Sequence, residues 1–264
     1  DVCFIRAEGL KINGTIIDTM ISGSLVDENR FRYDLGSLGR DYVGIGKNEA
    51  VLTETAKEWG VDPKSEMYKL PAMYVGEYAE QDAALTLKLW QEMKKQIIME
   101  EVSSIFELET ELFPCLVDMR FLGVRVDVEG AHALKQKLVQ EEKECLQRVK
   151  KETGIDTQIW AARSIEQVFQ KLSLNYERTK KTDLPSFTKN FLQNHEHPIV
   201  QQIARAREIN KAHTTFIDTI LKHSHKGRIH AEINQLRSDV GGTVTGRFSY
   251  SNPNLQQIPA RNKE

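Results

Sequence analysis

Apolar positions recur every three or four residues over most of the chain, and this spacing predicts a largely helical protein with a mixed start. Leu10-Lys11-Ile12-Asn13-Gly14-Thr15-Ile16-Ile17 alternates and then turns apolar, which predicts a strand entering a core. Asp34 ahead of Leu35, Leu38 and Tyr42 predicts a capped helix, and Gly44 to Gly46 predicts a loop after it. From Val75 to about Met99 the pattern is again helical. Residues 104–121 place Ile105, Leu108, Leu112, Leu116 and Met119 on one expected buried face, with Pro114 expected to bend the helix and Gly123 to end it.

Asp127 should then cap a long charged helix reaching about Thr153, burying Leu134, Leu138, Cys145 and Val149. Ser164 is expected to cap a short helix through Leu172, and Thr179 to Ser186 reads as an exposed loop. A second long helix is expected from Pro198 to His223. Gly227 breaks it, and Arg228 to Ile233 alternates as a strand would. The outline is a small α/β piece, a pair of long helices and the beginning of another β element. Two long polar-faced helices in mid-chain suit a clamp around an extended ligand.

Composition adds limits to this outline. With 264 residues, 40% of them hydrophobic, the chain can bury one large core or two smaller ones. It starts on Asp1 and ends on Asn262-Lys263-Glu264, and reads as a piece of a longer protein. No apolar run is long enough to span a bilayer. Cys3, Cys115 and Cys145 are odd in number and lack disulfide or zinc spacing, which points to a reducing compartment such as the cytoplasm. Charge is uneven: residues 1–170 carry 21 Lys and Arg against 30 Asp and Glu, residues 171–264 carry 15 against 8. A basic half suits a polyanion; an unevenly solvated surface reads equally well.

The closing run TGRFSYSNPNLQQIPAR breaks the apolar periodicity altogether. Thr245-Gly246-Arg247, Ser249, Pro253-Asn254-Leu255-Gln256, Ile258-Pro259 and Arg261 together resemble the segment leading into the palm of family A DNA polymerases. The residue types suit that task. The minor groove shows acceptors at every base pair, so Arg247, Asn254, Gln256 and Gln257 can test pair geometry without reading sequence. The resemblance implies that Arg247 lies against the minor groove near the primer end, and Arg261 close to the primer terminus and the incoming nucleotide. One stretch departs from the pattern: Asn234-Gln235-Leu236-Arg237-Ser238-Asp239-Val240-Gly241-Gly242 makes the link between His230 and Arg247 longer than in bacterial members and more like bacteriophage versions.

Upstream segments are similar to the same family. Residues 207–221 resemble its second long thumb helix, where Arg207 and Lys211, four apart, share a face that can reach phosphates. Taken alone, that pair is an ordinary solvated face. Lys180 and Lys181 resemble the thumb tip that rides the duplex backbone. Glu77 to Leu87 resembles the third motif of the family's 3′–5′ exonuclease, Tyr-x-x-x-Asp, with Tyr78 and Asp82 one helical turn apart. A lone Tyr-x-x-x-Asp is common by chance.

Asp1 matches the metal-binding aspartate of the second exonuclease motif, whereas Asp18 reads as a helix cap. Phosphodiester hydrolysis with two metals needs several carboxylates. The resemblance therefore implies Asp1, Tyr78 and Asp82 as catalytic, Asp1 and Asp82 as ligands of Mg2+, and further ligands outside residues 1–264.

The fold class expected is α/β, a partial ribonuclease H-like exonuclease domain over 1–98, followed by a mostly α-helical thumb over 99–225 and the first β elements of a palm over 226–264. The parent would bind primer-template DNA and dNTP, without membrane contact, and the 264-residue chain alone would be inactive. Two other classes are open to the residues: a stand-alone exonuclease of the ribonuclease D kind, and a non-enzymatic helical nucleic-acid-binding module. The first does not account for the closing run or the thumb-like helices.

Overall fold

The computed structural model describes residues 1–239 and 241–259. The chain forms two compact units, one of residues 1–123 and 231–264 and one of residues 124–230.

The first unit opens with helices α1 (Val2–Ala7), α2 (Thr19–Val26), α3 (Leu35–Val43) and α4 (Ala50–Glu58), then the long α5 (Ala72–Met99) and α6 (Ser103–Leu122). Two aspartates start their helices as local chemistry dictates: Asp18 accepts the Met20 N–H and Asp34 the Ser37 N–H, each worth about 1 kcal/mol. α2 and α3 pack on α5, around the fully buried Leu38, Leu89 and Met93. α4 packs on α5 separately, through Leu52, Ala56 and Leu70, with Tyr78 against them.

The strand expected at Leu10–Ile17 does not form. Leu10 and Ile12 stay exposed, and no strand is found among the described residues of 1–123 to pair with them. The described residues of 1–98 form helices and no strand. α6 continues through Pro114 and packs on α2 and α5 within this unit. Of its expected buried face only Leu116 is buried; Ile105, Leu108 and Met119 are exposed, and Glu109 and Val117 are buried instead.

The second unit holds β1 (Val124–Arg125), α7 (Val128–Thr153), α8 (Ala162–Lys171), β2 (Glu177–Arg178), β3 (Pro185–Ser186), α9 (Lys189–Gln193), α10 (Pro198–Lys211), α11 (Asp218–His223), β4 (Ser224–His225) and β5 (Arg228–Ile229). Asp127 caps α7 through the Gly130 N–H, and Gly154 ends it in the left-handed conformation. α7 buries Leu138, Cys145 and Val149 against Val200, Ile203, Ala206 and Ile209 of α10. Leu134 packs on that core while staying partly exposed.

Phe169 of α8 is fully buried among Tyr176, Phe187 and Phe191, its ring 4.8 Å from that of Phe187. Burial of such a ring contributes about 1.5–3 kcal/mol. α8 begins one turn before Ser164, whose hydroxyl instead accepts the Gln158 N–H. The second long helix is not uniform, since Ala212–Ile217 between α10 and α11 winds as a π-helix. β5 lies between β1 and β4 in an antiparallel sheet.

The chain then returns to the first unit with β6 (Glu232–Asn234) and β7 (Ser249–Ser251), paired antiparallel with Glu232 opposite Ser251 and Asn234 opposite Ser249.

Candidate functional site

In the first unit, the loop after α3 and the middle of α5 bring three side chains together. Tyr78 and Asp82 sit one turn apart on α5, as their spacing requires. The Lys47 ammonium donates to the Tyr78 hydroxyl at 2.9 Å and to Asp82 Oδ2 at 2.6 Å, and stands 5.1 Å from the Tyr78 ring centroid. Burial disfavours that ammonium, but the bonds to Asp82 and Tyr78 outweigh it and hold Lys47 above the ordinary lysine pKa. Lys47 escapes sequence reasoning because 31 residues separate it from Tyr78 and 35 from Asp82.

Lys47 and Tyr78 border a cleft of about 780 Å³ whose wall carries Arg32, Arg40 and Lys64 together with Asp34, Glu49 and Asp239. Asp239 comes from the link ahead of Arg247. Its carboxylate accepts the Tyr33 N–H at 2.7 Å, and Ser24 Oγ donates to the neighbouring Arg237 carbonyl at 2.6 Å. The long link therefore leans on the segment running from α2 into α3.

Asp1 is exposed at the start of α1, and its side chain forms no cap bond. Among the described residues no group of three or more His, Cys, Asp or Glu side chains is placed to hold a metal ion. Asp82, the carboxylate expected to bind metal, is compensated by an ammonium. The described donor set does not fit a two-metal centre.

The remainder of the first unit displays the polar run. Arg247 is exposed, in a loop fastened by the Thr243 hydroxyl, which donates to the Arg247 carbonyl at 2.7 Å. Gly242 is obligatory in that loop, because a Cβ there would come within 2.0 Å of the Leu236 carbonyl oxygen. Asn254 caps the short 3₁₀ turn Leu255–Gln257 through the Gln256 N–H, and the Gln256 amide donates to the Phe248 carbonyl at 2.9 Å. One polar atom of each side chain is thus engaged in holding the run's shape. Gln257 is exposed. Arg261 lies outside the described residues.

In the second unit, Lys180 and Lys181 are exposed at the turn joining β2 to β3, which is cross-tied by Thr179 N–H to the Leu184 carbonyl and by Arg178 to the Asp183 carbonyl. The segment read as a plain loop is a hairpin tip. Lys211 is exposed on α10.

Arg207 departs from expectation. Its Nε donates to the Ile159 carbonyl at 2.6 Å, its Nη1 to the Phe187 carbonyl at 2.7 Å, and its guanidinium stacks on Trp160 at 5.3 Å. Burial holds its pKa below the ordinary arginine value. Two of its three nitrogens are thus engaged within the unit, which makes Arg207 a structural tie.

Beside it runs a polar chain that periodicity does not disclose. Trp160 Nε1 donates to Asn210, Asn210 donates to Glu142, and Glu142 meets the buried His213 at 2.6 Å. No helix among the described residues is long and apolar enough to cross a membrane.

Residues 128–264 match DNA polymerase family A, and residues 3–98 match the 3′-5′ exonuclease of that family's architecture. The DNA-directed DNA polymerase of Pseudomonas phage M6 is 31% identical over the whole chain, which covers 41% of that relative. DNA polymerase DpoZ of Acinetobacter phage SH-Ab 15497 is 30% identical over the whole chain, covering 46% of it. The chain thus spans less than half the length of these relatives, which are bacteriophage proteins, as the long link suggests. The POL domain of Pol1 from M. smegmatis, solved in complex with DNA primer-template and dNTP, shares the fold with a TM-score of 0.73 at 21% identity over 98% of this chain and 41% of that one. The chain belongs to DNA polymerase family A.

Proposed function

We propose that the chain is part of a template-directed DNA polymerase with a 3′–5′ proofreading exonuclease, and that its own share of the work is to hold primer-template DNA. On this reading residues 1–98 contribute to the exonuclease, 99–225 to the thumb and 226–264 to the start of the palm. The observation that carries it is the exposed Arg247, held in a fastened loop and followed by a capped, amide-rich turn, inside a segment matching family A.

The roles divide by chemistry. Lys180, Lys181 and Lys211 are mobile point charges suited to phosphates, which position a duplex without reading it. Arg247 and the unengaged atoms of Asn254, Gln256 and Gln257 suit minor-groove acceptors common to all base pairs. Family A polymerases and exonucleases generally use divalent metals. Asp1 and Asp82 are the chain's candidate ligands for Mg2+, and the remaining ligands, like the dNTP site, belong to the whole protein. Tyr78, whose oxygen accepts from Lys47, carries a hydroxyl that can donate to a water or a phosphate oxygen.

The test is fluorescence anisotropy of a labelled primer-template duplex with the 264-residue chain, repeated across a salt series. Affinity is expected to fall steeply with salt, and the Lys180→Gln/Lys181→Gln variant to flatten the logarithmic slope by about 1 to 2. Arg247→Gln should weaken binding by about tenfold with little change in slope. Absence of duplex binding at low salt would overturn the reading.

A further inference from the structure

β6 and β7 are joined by residues 235–248, and Arg247 stands near the far end of that connection. Its near end is fastened to the helices of the same unit. The Gln235 amide donates to the Glu109 carbonyl of α6 at 2.7 Å, the Ser24 hydroxyl of α2 donates to the Arg237 carbonyl at 2.6 Å, and Asp239 accepts the Tyr33 N–H, just ahead of α3, at 2.7 Å. We propose that residues 235–239 are an anchor that sets the position of Arg247, with Asp239 and Ser24 as positioning residues for its contact with duplex DNA. The proposal rests on the reading of Arg247 as a DNA contact and deepens it.

The anchor sits where its loss would be felt. Ser24, Tyr33, Glu109 and Gln235 are all buried, so water does not readily replace a missing partner. The anchored and displaying parts are also tightly joined. The Ser238 N–H donates to the Gly241 carbonyl at 2.7 Å, the Gly242 N–H donates to Ser249 Oγ of β7 at 3.1 Å, and Gly242 passes too close to the Leu236 carbonyl to admit a side chain. A shift at Asp239 is therefore passed on to the loop that the Thr243 hydroxyl closes on the Arg247 carbonyl. Finally, the charge and the bond of Asp239 act in opposite senses. A carboxylate near a DNA-binding loop repels the polyanion, whereas its bond to the Tyr33 N–H holds the loop in place.

The experiment is a double-mutant cycle on the 264-residue chain, read by fluorescence anisotropy of a labelled primer-template duplex. Asp239→Ala is expected to weaken binding by about three- to tenfold, although loss of its negative charge alone would tighten it. Asp239→Asn, which keeps an oxygen to accept the Tyr33 N–H, should bind at least as tightly as the wild type. In an Arg247→Gln background Asp239→Ala should cost less than about twofold further, whereas in the Lys180→Gln/Lys181→Gln background its full effect should persist. Ser24→Ala, run through the same cycle, should show the same pattern at about two- to fivefold, and decides the matter should circular dichroism show Asp239→Ala unfolded. Equal losses with and without Arg247, or tighter binding by Asp239→Ala, would overturn the positioning role alone. Absence of duplex binding by the wild type would overturn it together with the DNA-binding reading.

Discussion

Replacing Arg207 by alanine separates a residue that holds the protein together from one that holds DNA. The side chain makes two hydrogen bonds to main-chain carbonyls, of Ile159 and Phe187, and covers the ring of Trp160. Hydrogen bonds from a charged donor contribute about 1.5–3 kcal/mol each where desolvated, and a cation–π contact about 0.5–1 kcal/mol at an exposed site. Arg207 is only half-buried and water can reclaim part of both carbonyls, so the expected loss is about 2–4 kcal/mol. Trp160 is the one tryptophan between residues 124 and 230, so in a Trp59→Phe/Trp90→Phe background its fluorescence during urea unfolding reports on this unit. The midpoint should fall with the slope unchanged. Arg207→Lys should recover little, because an ammonium cannot span the two carbonyls as a fork does. Lys211→Ala is the matched control, expected to leave stability within about 0.5 kcal/mol and to weaken duplex binding. A stable Arg207→Ala chain with strongly weakened DNA binding would refute the structural assignment and return Arg207 to the phosphate contacts.

Asp34 should govern part of the acid sensitivity of the first unit. Burial pushes its pKa up, but the Ser37 hydroxyl and N–H outweigh burial and leave it below the ordinary value. Its contribution is therefore complete above about pH 4 and lost as pH falls through the depressed value. Asp34→Ala should cost about 1 kcal/mol at neutral pH and show a shallower acid limb in thermal melts. Cys145 is buried, and desolvation raises its thiol pKa, whereas Cys115 is exposed. Ellman's reagent should label Cys115 readily and Cys145 only on unfolding; equal rates would contradict the packing of α7 on α10. The 264-residue chain should show neither primer extension nor excision with Mg2+, and turnover above background would require a metal centre not seen among the described residues.

What could be read from the residues alone was chemistry that stays local. The caps at Asp18, Asp34 and Asp127 and the buried stripe Leu138, Cys145, Val149 depend on neighbours within a turn or two, and all are found. The misses share a dependence on distance. A strand at Leu10–Ile17 needed a partner strand, and alternation says nothing about whether one exists. The apolar stripe on α6 told of amphipathicity but not of which side would be covered, and Ile105, Leu108 and Met119 remain exposed. Arg207 looked outward from its helix because its acceptors lie 48 and 20 residues away. The Tyr78–Asp82 pair was visible and Lys47 was not, for the same reason.

The wide turn at Ala212–Ile217 bears on how this protein is matched to its relatives. Each residue of an α-helix advances the chain by about 100°, so a single extra residue accommodated in a π turn swings everything after it onto a new side. Asp218–His223 consequently cannot be assigned inward and outward positions by counting forward from Pro198. Against a homologue whose helix lacks this turn, an alignment that slides through without a gap near Ala212 would equate side chains about 100° apart, and substitutions transplanted from such a homologue beyond that point should first be shifted by one place.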